Sequence, residues 1–234
     1  LFEAGGSAAV GGIHPRTVPN QPDGTLDLDA VEAAIRDPSN PHYPATRLIC
    51  LENTHNRCSG AVLTPEYMAQ VRALANRYSL KIHLDGARIF NAAIALEVSA
   101  AVVARDADSV SFCLSKGLSA PVGSLVCGSA EFVRQARRQR KLLGGGMRQA
   151  GVLAAAGIVA METMVDRMAE DHANARRLAE WLAQLPGIVR DPARIQTNIV
   201  IFELARGAPA AAGFAAGMAG HGVTINRVIN GGGI

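Results

Sequence analysis

The sequence predicts an α/β fold with a largely parallel sheet. Three observations predict it. Short apolar runs of strand length alternate with helical patterns through the middle of the chain, the strand-like runs end in polar groups able to do chemistry, and Gly, Pro, Asn and Asp separate the elements.

Taken in order, the opening "LFEAGGSAAVGG" and the Pro-rich "HPRTVPNQPDGTLD" read as loop. A short helix is expected from about Leu28 to Arg36, with Asp27 as its cap, and "DPSNPHYPATR" returns to loop. "RLICLEN" is the first strand. Thr64 and Pro65 then open the helical pattern "PEYMAQVRALANRYS", Thr64 as N-cap and Pro65 at the first helical position. "LKIHLD" is a strand, "NAAIALEV" a short helix, and "DSVSFCLS" and "GSLVCG" two further strands. A basic helix follows from roughly Ala130 to Leu143, then the glycine loop "GGGMRQAG" and one long helical stretch that Pro186 and Gly187 end. "QTNIVIFEL", an alanine-rich helix and "GVTINRVI" read as strand, helix and strand of a smaller domain. The expected organisation is a large domain over 1–150, a helical connection over 151–186 and part of a small C-terminal domain over 187–234.

Composition bounds the function classes. The chain has 234 residues, 49% hydrophobic and 18% charged, with a formal net charge of +3, the range of ordinary soluble domains. No apolar run reaches the roughly 18 residues that span a bilayer, and no basic start precedes an apolar stretch of signal-peptide type. A soluble, cytoplasmic protein is expected. The basic excess is too small to argue for nucleic acid. Cys50, Cys58, Cys113 and Cys127 form no CxxC pair and read as buried, reduced thiols. No metal site is expected. Arginine supplies nearly all the positive charge, and Lys81, Lys116 and Lys141 are the only lysines, so a lysine set among small residues in "CLSKGLSAPVGS" stands out.

Ligands of open α/β sheets bind beyond the carboxyl ends of the strands. Three consecutive strand ends carry candidate groups: Glu52 and His55 in "LENTHN", Asp85 and Arg88 in "HLDGAR", and Lys116 in "CLSKG". A buried lysine loses solvation of its charged form and becomes a usable nucleophile, which suits Schiff-base chemistry. A carboxylate that keeps a pyridine nitrogen protonated is its expected partner, and Asp85 could supply it. Each group alone has a plainer reading: turn chemistry for Asp85, a phosphate contact or surface charge for Lys116, a structural ion pair for Arg88, and a satisfied loop residue for His55.

Together, "LENTHN", "HLDGARIFNA", "SFCLSKGLSAPVGSLVCG" and "KLLGGGMRQAG" resemble, in this order, the low-specificity L-threonine aldolases. These belong to the aspartate-aminotransferase-like fold, fold type I, of pyridoxal-phosphate enzymes. The resemblance implies that 1–150 binds pyridoxal 5'-phosphate, with Lys116 as the Schiff-base lysine, Ser115 near the phosphate and Asp85 on the pyridinium. It implies that Arg88 grips the substrate carboxylate and that His55 positions or deprotonates the substrate hydroxyl. Lys141 and Arg148 would be phosphate contacts, within one subunit or across an interface; as one face of a basic helix, Lys141 also reads as simply solvated. The implied reaction is retro-aldol cleavage of L-threonine, L-allo-threonine or related β-hydroxy-α-amino acids to glycine and an aldehyde, by a dimer or tetramer. A related β-eliminating lyase, a serine hydroxymethyltransferase-like enzyme or a phenylserine aldolase shares the lysine and aspartate. A phosphate- or nucleic-acid-binding module without catalysis is the reading from another class. The family's upstream glycine-rich loop and ring-stacking histidine, and its downstream arginine, have no match here, so the chain is read as a fragment lacking both ends.

Overall fold

The sheet follows from alternation. A computed structural model describes residues 3–189 and 191–226. After a single 3-10 turn at Glu3–Gly5 come α1 (Gly6–Ala9) and α2 (Leu28–Ala34), then β1 (Leu48–Glu52), α3 (Pro65–Arg77) and β2 (Lys81–Asp85). Helices α4 (Ile89–Leu96) and α5 (Ala100–Ala104) lead to β3 (Ser109–Cys113) and β4 (Ser124–Gly128). Strands β1, β2 and β3 run parallel in that order, and β4 closes the sheet antiparallel to β3. Ile49 and Leu51, Ile82 and Leu84, and Val110 and Phe112 point to one face and are buried with Met68, Val71 and Leu74 of α3, Ala92 and Ala93 of α4 and Val103 of α5. Burial of each large side chain of this set stabilises the fold by about 1.5–3 kcal/mol.

The opposite face carries the intervening residues, and register aligns them in rows: Leu48 with Lys81, Cys50 with His83 and Ser109, and Glu52 with Asp85 and Ser111. Leu48, Cys50, Lys81 and Asp85 are exposed. All five residues of β4 are exposed as well.

Capping residues set the helix starts. Asp27 Oδ1 accepts from the Asp29 N–H at 3.1 Å and Thr64 Oγ1 from the Tyr67 N–H at 3.3 Å, with Pro65 in the first turn, as expected. Ser99 caps α5, an element the sequence reading passed over. The opening segment is also more helical than expected, through α1, because Ser7, Ala8 and Ala9 between glycines favour a single turn.

Beyond the sheet, α6 (Ala130–Leu142) has no buried residue. The expected single long helix is two, α7 (Gly151–Thr163) and α8 (Met168–Ala183). Thr163 Oγ1 donates back to the Val159 carbonyl at 2.7 Å, and the chain then turns so that Met164 and Val165 pack on the main core and Met168 is buried in it. The C-terminal region holds β5 (Ile188–Val189), a 3-10 turn at Pro192–Arg194, β6 (Glu203–Leu204) and α9 (Ala211–Gly220). The expected strand "QTNIVIFEL" shrinks to Glu203 and Leu204, which pair with β5. Residues 222–226 of the expected strand "GVTINRVI" are not strand, and its remainder lies outside the described residues.

An ion cluster fastens α3 to the sheet. Asp108 accepts from Arg72 Nη2 at 2.7 Å, Lys81 Nζ at 2.9 Å and the Ile82 N–H at 2.8 Å. Burial opposes its ionisation, but the Arg72 guanidinium, the Ile82 N–H and the Lys81 ammonium outweigh that and lower its carboxyl from 3.8 to about 2. A carboxyl with a depressed folded pKa stabilises above its unfolded value and loses that contribution as pH falls through its folded one. The cluster is therefore intact above about pH 4 and lost towards pH 2. With Lys81 exposed and screened, it contributes on the order of 1 kcal/mol. Asp108→Asn is expected to flatten the pH dependence of stability over that window, read by circular dichroism in acid titration.

Candidate active site

The carboxyl ends of β1, β2 and β3 meet at one edge of the sheet, because the three strands are parallel and in sequence order. Glu52 and Asp85 are register partners, so their backbones lie about 4.8 Å apart.

Asp85 ends β2 and is exposed. Its Oδ1 accepts from the Ala87 N–H at 3.0 Å, so the turn chemistry that an Asp-Gly pair suggests does occur. Oδ2 has no hydrogen-bond partner among the described residues and is available to a ligand. Gly86 passes so close to β3 that a Cβ there would lie 3.0 Å from the Ser111 carbonyl. That tight passage leads straight to half-buried Arg88, at the N-cap position of α4 with no cap bond of its own.

His83 stands one row below Asp85 on the same face, its Nδ1 2.9 Å from Ser109 Oγ. Burial lowers its pKa, and the Asp85 charge only partly opposes this. An imidazole whose neutral form is favoured therefore lies one row below the carboxylate.

The lysine turn departs from expectation. Lys116 is exposed rather than buried, as is Ser115. What is buried is the turn's framework: Leu114, Leu118 and Ala120 are 7%, 1% and 7% exposed. The Leu114 N–H donates to the Gly123 carbonyl at 2.9 Å, the Ala120 N–H to the Leu114 carbonyl at 3.0 Å and the Ser119 N–H to the Lys116 carbonyl at 2.8 Å. A backbone fixed by these bonds thus carries an exposed amine in the turn after β3.

His55 is 7% exposed and lies in the loop after β1. Asn53, fully buried, shapes that loop: its Nδ2 donates to the Leu63 carbonyl at 3.0 Å, its Oδ1 accepts from the Leu63 N–H at 3.2 Å, and its own N–H donates to the Asp85 carbonyl at 2.8 Å. His55 Nδ1 accepts from the Cys58 N–H at 3.3 Å, which leaves the proton of the neutral ring on Nε2. Nε2 faces Glu52 Oε2 at 3.7 Å, while Glu52 Oε1 accepts from the Asn56 N–H at 3.0 Å.

Lys141 and Arg148 are exposed on and after α6. No hydrogen bond or ion pair among the described residues joins either one to Asp85, Arg88 or Lys116. Lys141 instead covers the glycine loop, where a Cβ on Gly146 would lie 2.6 Å from Lys141 Cδ. All four cysteines are free, but Cys50 and Cys127 are exposed and the others half-buried, so the buried-thiol expectation is corrected. Cys50 and Cys113 lie on the open sheet face, Cys127 on the exposed β4, and Cys58 in the loop after β1.

A model of the beta-eliminating lyase family matches residues 1–205. The chain belongs to the beta-eliminating lyase family. Among curated relatives, low-specificity L-threonine aldolase 1 of Arabidopsis thaliana is 50% identical over 208 residues, covering 88% of this chain and 58% of that protein. The low specificity L-threonine aldolase of Escherichia coli (strain K12) is 44% identical over 213 residues, covering 91% of this chain and 62% of that protein. The chain thus spans about three fifths of the length of the curated relatives it matches. Among solved structures, a proposed L-allo-threonine aldolase from Listeria monocytogenes EGD-E matches with a TM-score of 0.73 at 22% identity, covering 85% of this chain and 53% of that one. A PLP-dependent aminotransferase from Streptococcus suis 89-1591 also matches, with a TM-score of 0.67 at 19% identity, covering 88% of this chain and 54% of that one. The expected aspartate-aminotransferase-like fold is therefore the fold of this member of the beta-eliminating lyase family.

Asn53, within "LENTHN", is a structural residue of the site that is not among the sequence candidates. Its signal was an uncharged polar residue directly after an apolar strand. Among the described residues, no helix is long and apolar enough to cross a membrane.

Proposed function

We propose that the protein of this chain cleaves L-threonine and related β-hydroxy-α-amino acids to glycine and an aldehyde, using pyridoxal 5'-phosphate. This reading is supported by the strand order and register: Glu52 and Asp85 end neighbouring parallel strands at one sheet edge, and His55, Arg88 and Lys116 lie in the turns that follow β1, β2 and β3. The donor set fits the cofactor: an amine for its aldehyde, a carboxylate for its ring nitrogen, and hydroxyl and cationic groups for its phosphate. When bound, the cofactor supplies the electron sink for the bond that breaks. The names of the aldolase relatives support the choice of substrate.

In this reading Lys116 holds the cofactor, Asp85 keeps the ring nitrogen protonated through Oδ2, and Ser115, Lys141 and Arg148 meet the phosphate. Arg88 orients the substrate carboxylate, where a guanidinium fork fixes angle as well as charge. A substrate hydroxyl between His55 Nε2 and Glu52 Oε2 would receive a hydrogen bond from the ring and give its proton to the carboxylate. That division of labour follows from Nδ1 being occupied by the Cys58 N–H. We further propose that residues 1–150 form the cofactor-binding domain, 151–186 the helical connection and 187–234 part of a small domain. The protein would work in the cytoplasm as a dimer or tetramer.

Incubation of the intact protein and cofactor with L-threonine is expected to release equal amounts of glycine and acetaldehyde. Release of pyruvate and ammonia from serine, with no acetaldehyde from threonine, would instead assign a β-eliminating lyase.

A further inference from the structure

The loop that carries His55 is held from the far end of the chain. Within the loop, the His55 N–H donates to the Ala61 carbonyl at 2.8 Å and the Gly60 N–H to the His55 carbonyl at 2.9 Å. Those bonds leave the Gly60 carbonyl and the Val62 N–H without partners in the loop. Both are met by the segment after Ile195. Thr197 Oγ1 donates to the Gly60 carbonyl at 2.8 Å, across 137 residues, and Gln196 Oε1 accepts from the Val62 N–H at 2.8 Å, across 134. Thr197 is completely buried, and Ile195 beside it is 4% exposed. Gly60 has φ +71°, and a Cβ there would lie 2.3 Å from Thr197 Oγ1, so the contact leaves no space for any other residue.

We propose that Gln196 and Thr197 are positioning residues for His55. They fix the returning arm of the loop, residues 60–62, and through the two bonds with His55 they fix the direction of its ring towards Glu52. Neither residue touches the reacting groups. The inference rests on the proposed function in one respect, that His55 meets the substrate hydroxyl. Its consequence is that the C-terminal segment and the sheet edge share one catalytic geometry, so that a shift of the segment moves the imidazole.

The test uses the intact holoenzyme. Thr197→Val keeps shape and removes the donor, Thr197→Ser keeps the donor, and Gln196→Met removes the acceptor while leaving Thr197 in place. Misplacement of a catalytic group by about 1 Å costs about 10²-fold, so Thr197→Val and Gln196→Met are each expected to lower kcat for threonine by about 10- to 100-fold. KM and the absorbance of bound cofactor should stay within about 2-fold, and Thr197→Ser should recover most of the rate. Hydrogen exchange at the amides of Gly60, Ala61 and Val62 should quicken in Thr197→Val. Wild-type kcat in both Thr197→Val and Gln196→Met, or equal losses in Thr197→Val and Thr197→Ser, would overturn the proposal. A wild-type protein that cleaves no threonine would refute the proposed function instead; the exchange measurement then decides alone, and unchanged exchange overturns the positioning role.

Discussion

Replacing Lys116 with alanine in the intact protein is expected to lower threonine cleavage by about 10³-fold or more, the scale of losing a covalent nucleophile. Stability should scarcely move. The side chain is exposed, and the turn is held by Leu114, Leu118 and backbone bonds that alanine leaves in place, so the change in folding free energy should stay within about 0.5 kcal/mol. Lys116→Arg keeps the charge but not a usable amine, and should be as inactive. Activity in either variant would show that the lysine is a surface charge or a phosphate contact. Kinetics paired with thermal melts separate loss of chemistry from loss of fold.

Asp85→Asn should have the next largest effect. The asparagine Oδ1 can still accept from the Ala87 N–H, so the turn between β2 and α4 survives and Arg88 keeps its place. What is lost is the negative charge on the free oxygen. A hydrogen bond to a charged group contributes about 1.5–3 kcal/mol, and every 1.36 kcal/mol is tenfold in rate, so kcat should fall about 10- to 100-fold. The absorbance of the bound cofactor should shift with it, as the ring nitrogen loses its counter-ion. A wild-type rate and spectrum in Asp85→Asn would leave Asp85 as a turn residue only.

The strands were the most legible part of the fold. β2 and β3 alternate polar and apolar residues, and β1, "LICLE", is an apolar run of strand length, and both patterns mark short strands that bury at least one face. Thr64-Pro65 and Asp27 were legible as helix starts because capping is local chemistry. Long-range effects were not. Nothing near Lys116 in sequence says that its side chain is exposed, since its apolar neighbours Leu114, Leu118 and Ala120 are themselves buried. "QTNIVIFEL" read as a strand, yet Gln196 and Thr197 bond to a loop more than 130 residues away rather than to a neighbouring strand. The break between α7 and α8 has no glycine or proline to announce it. In the site, Asp85, Arg88 and His55 came from motifs at strand ends. The proton position on His55 came only from the Cys58 N–H, a contact that depends on how the loop closes.

Whether this sheet edge holds pyridoxal phosphate through Lys116 is read by reconstituting the intact protein with the cofactor, reducing with borohydride and mapping the peptides. The expected result is one pyridoxyl group, on Lys116. A label on Lys81 or Lys141, or a protein that takes up no cofactor at all, would contradict it.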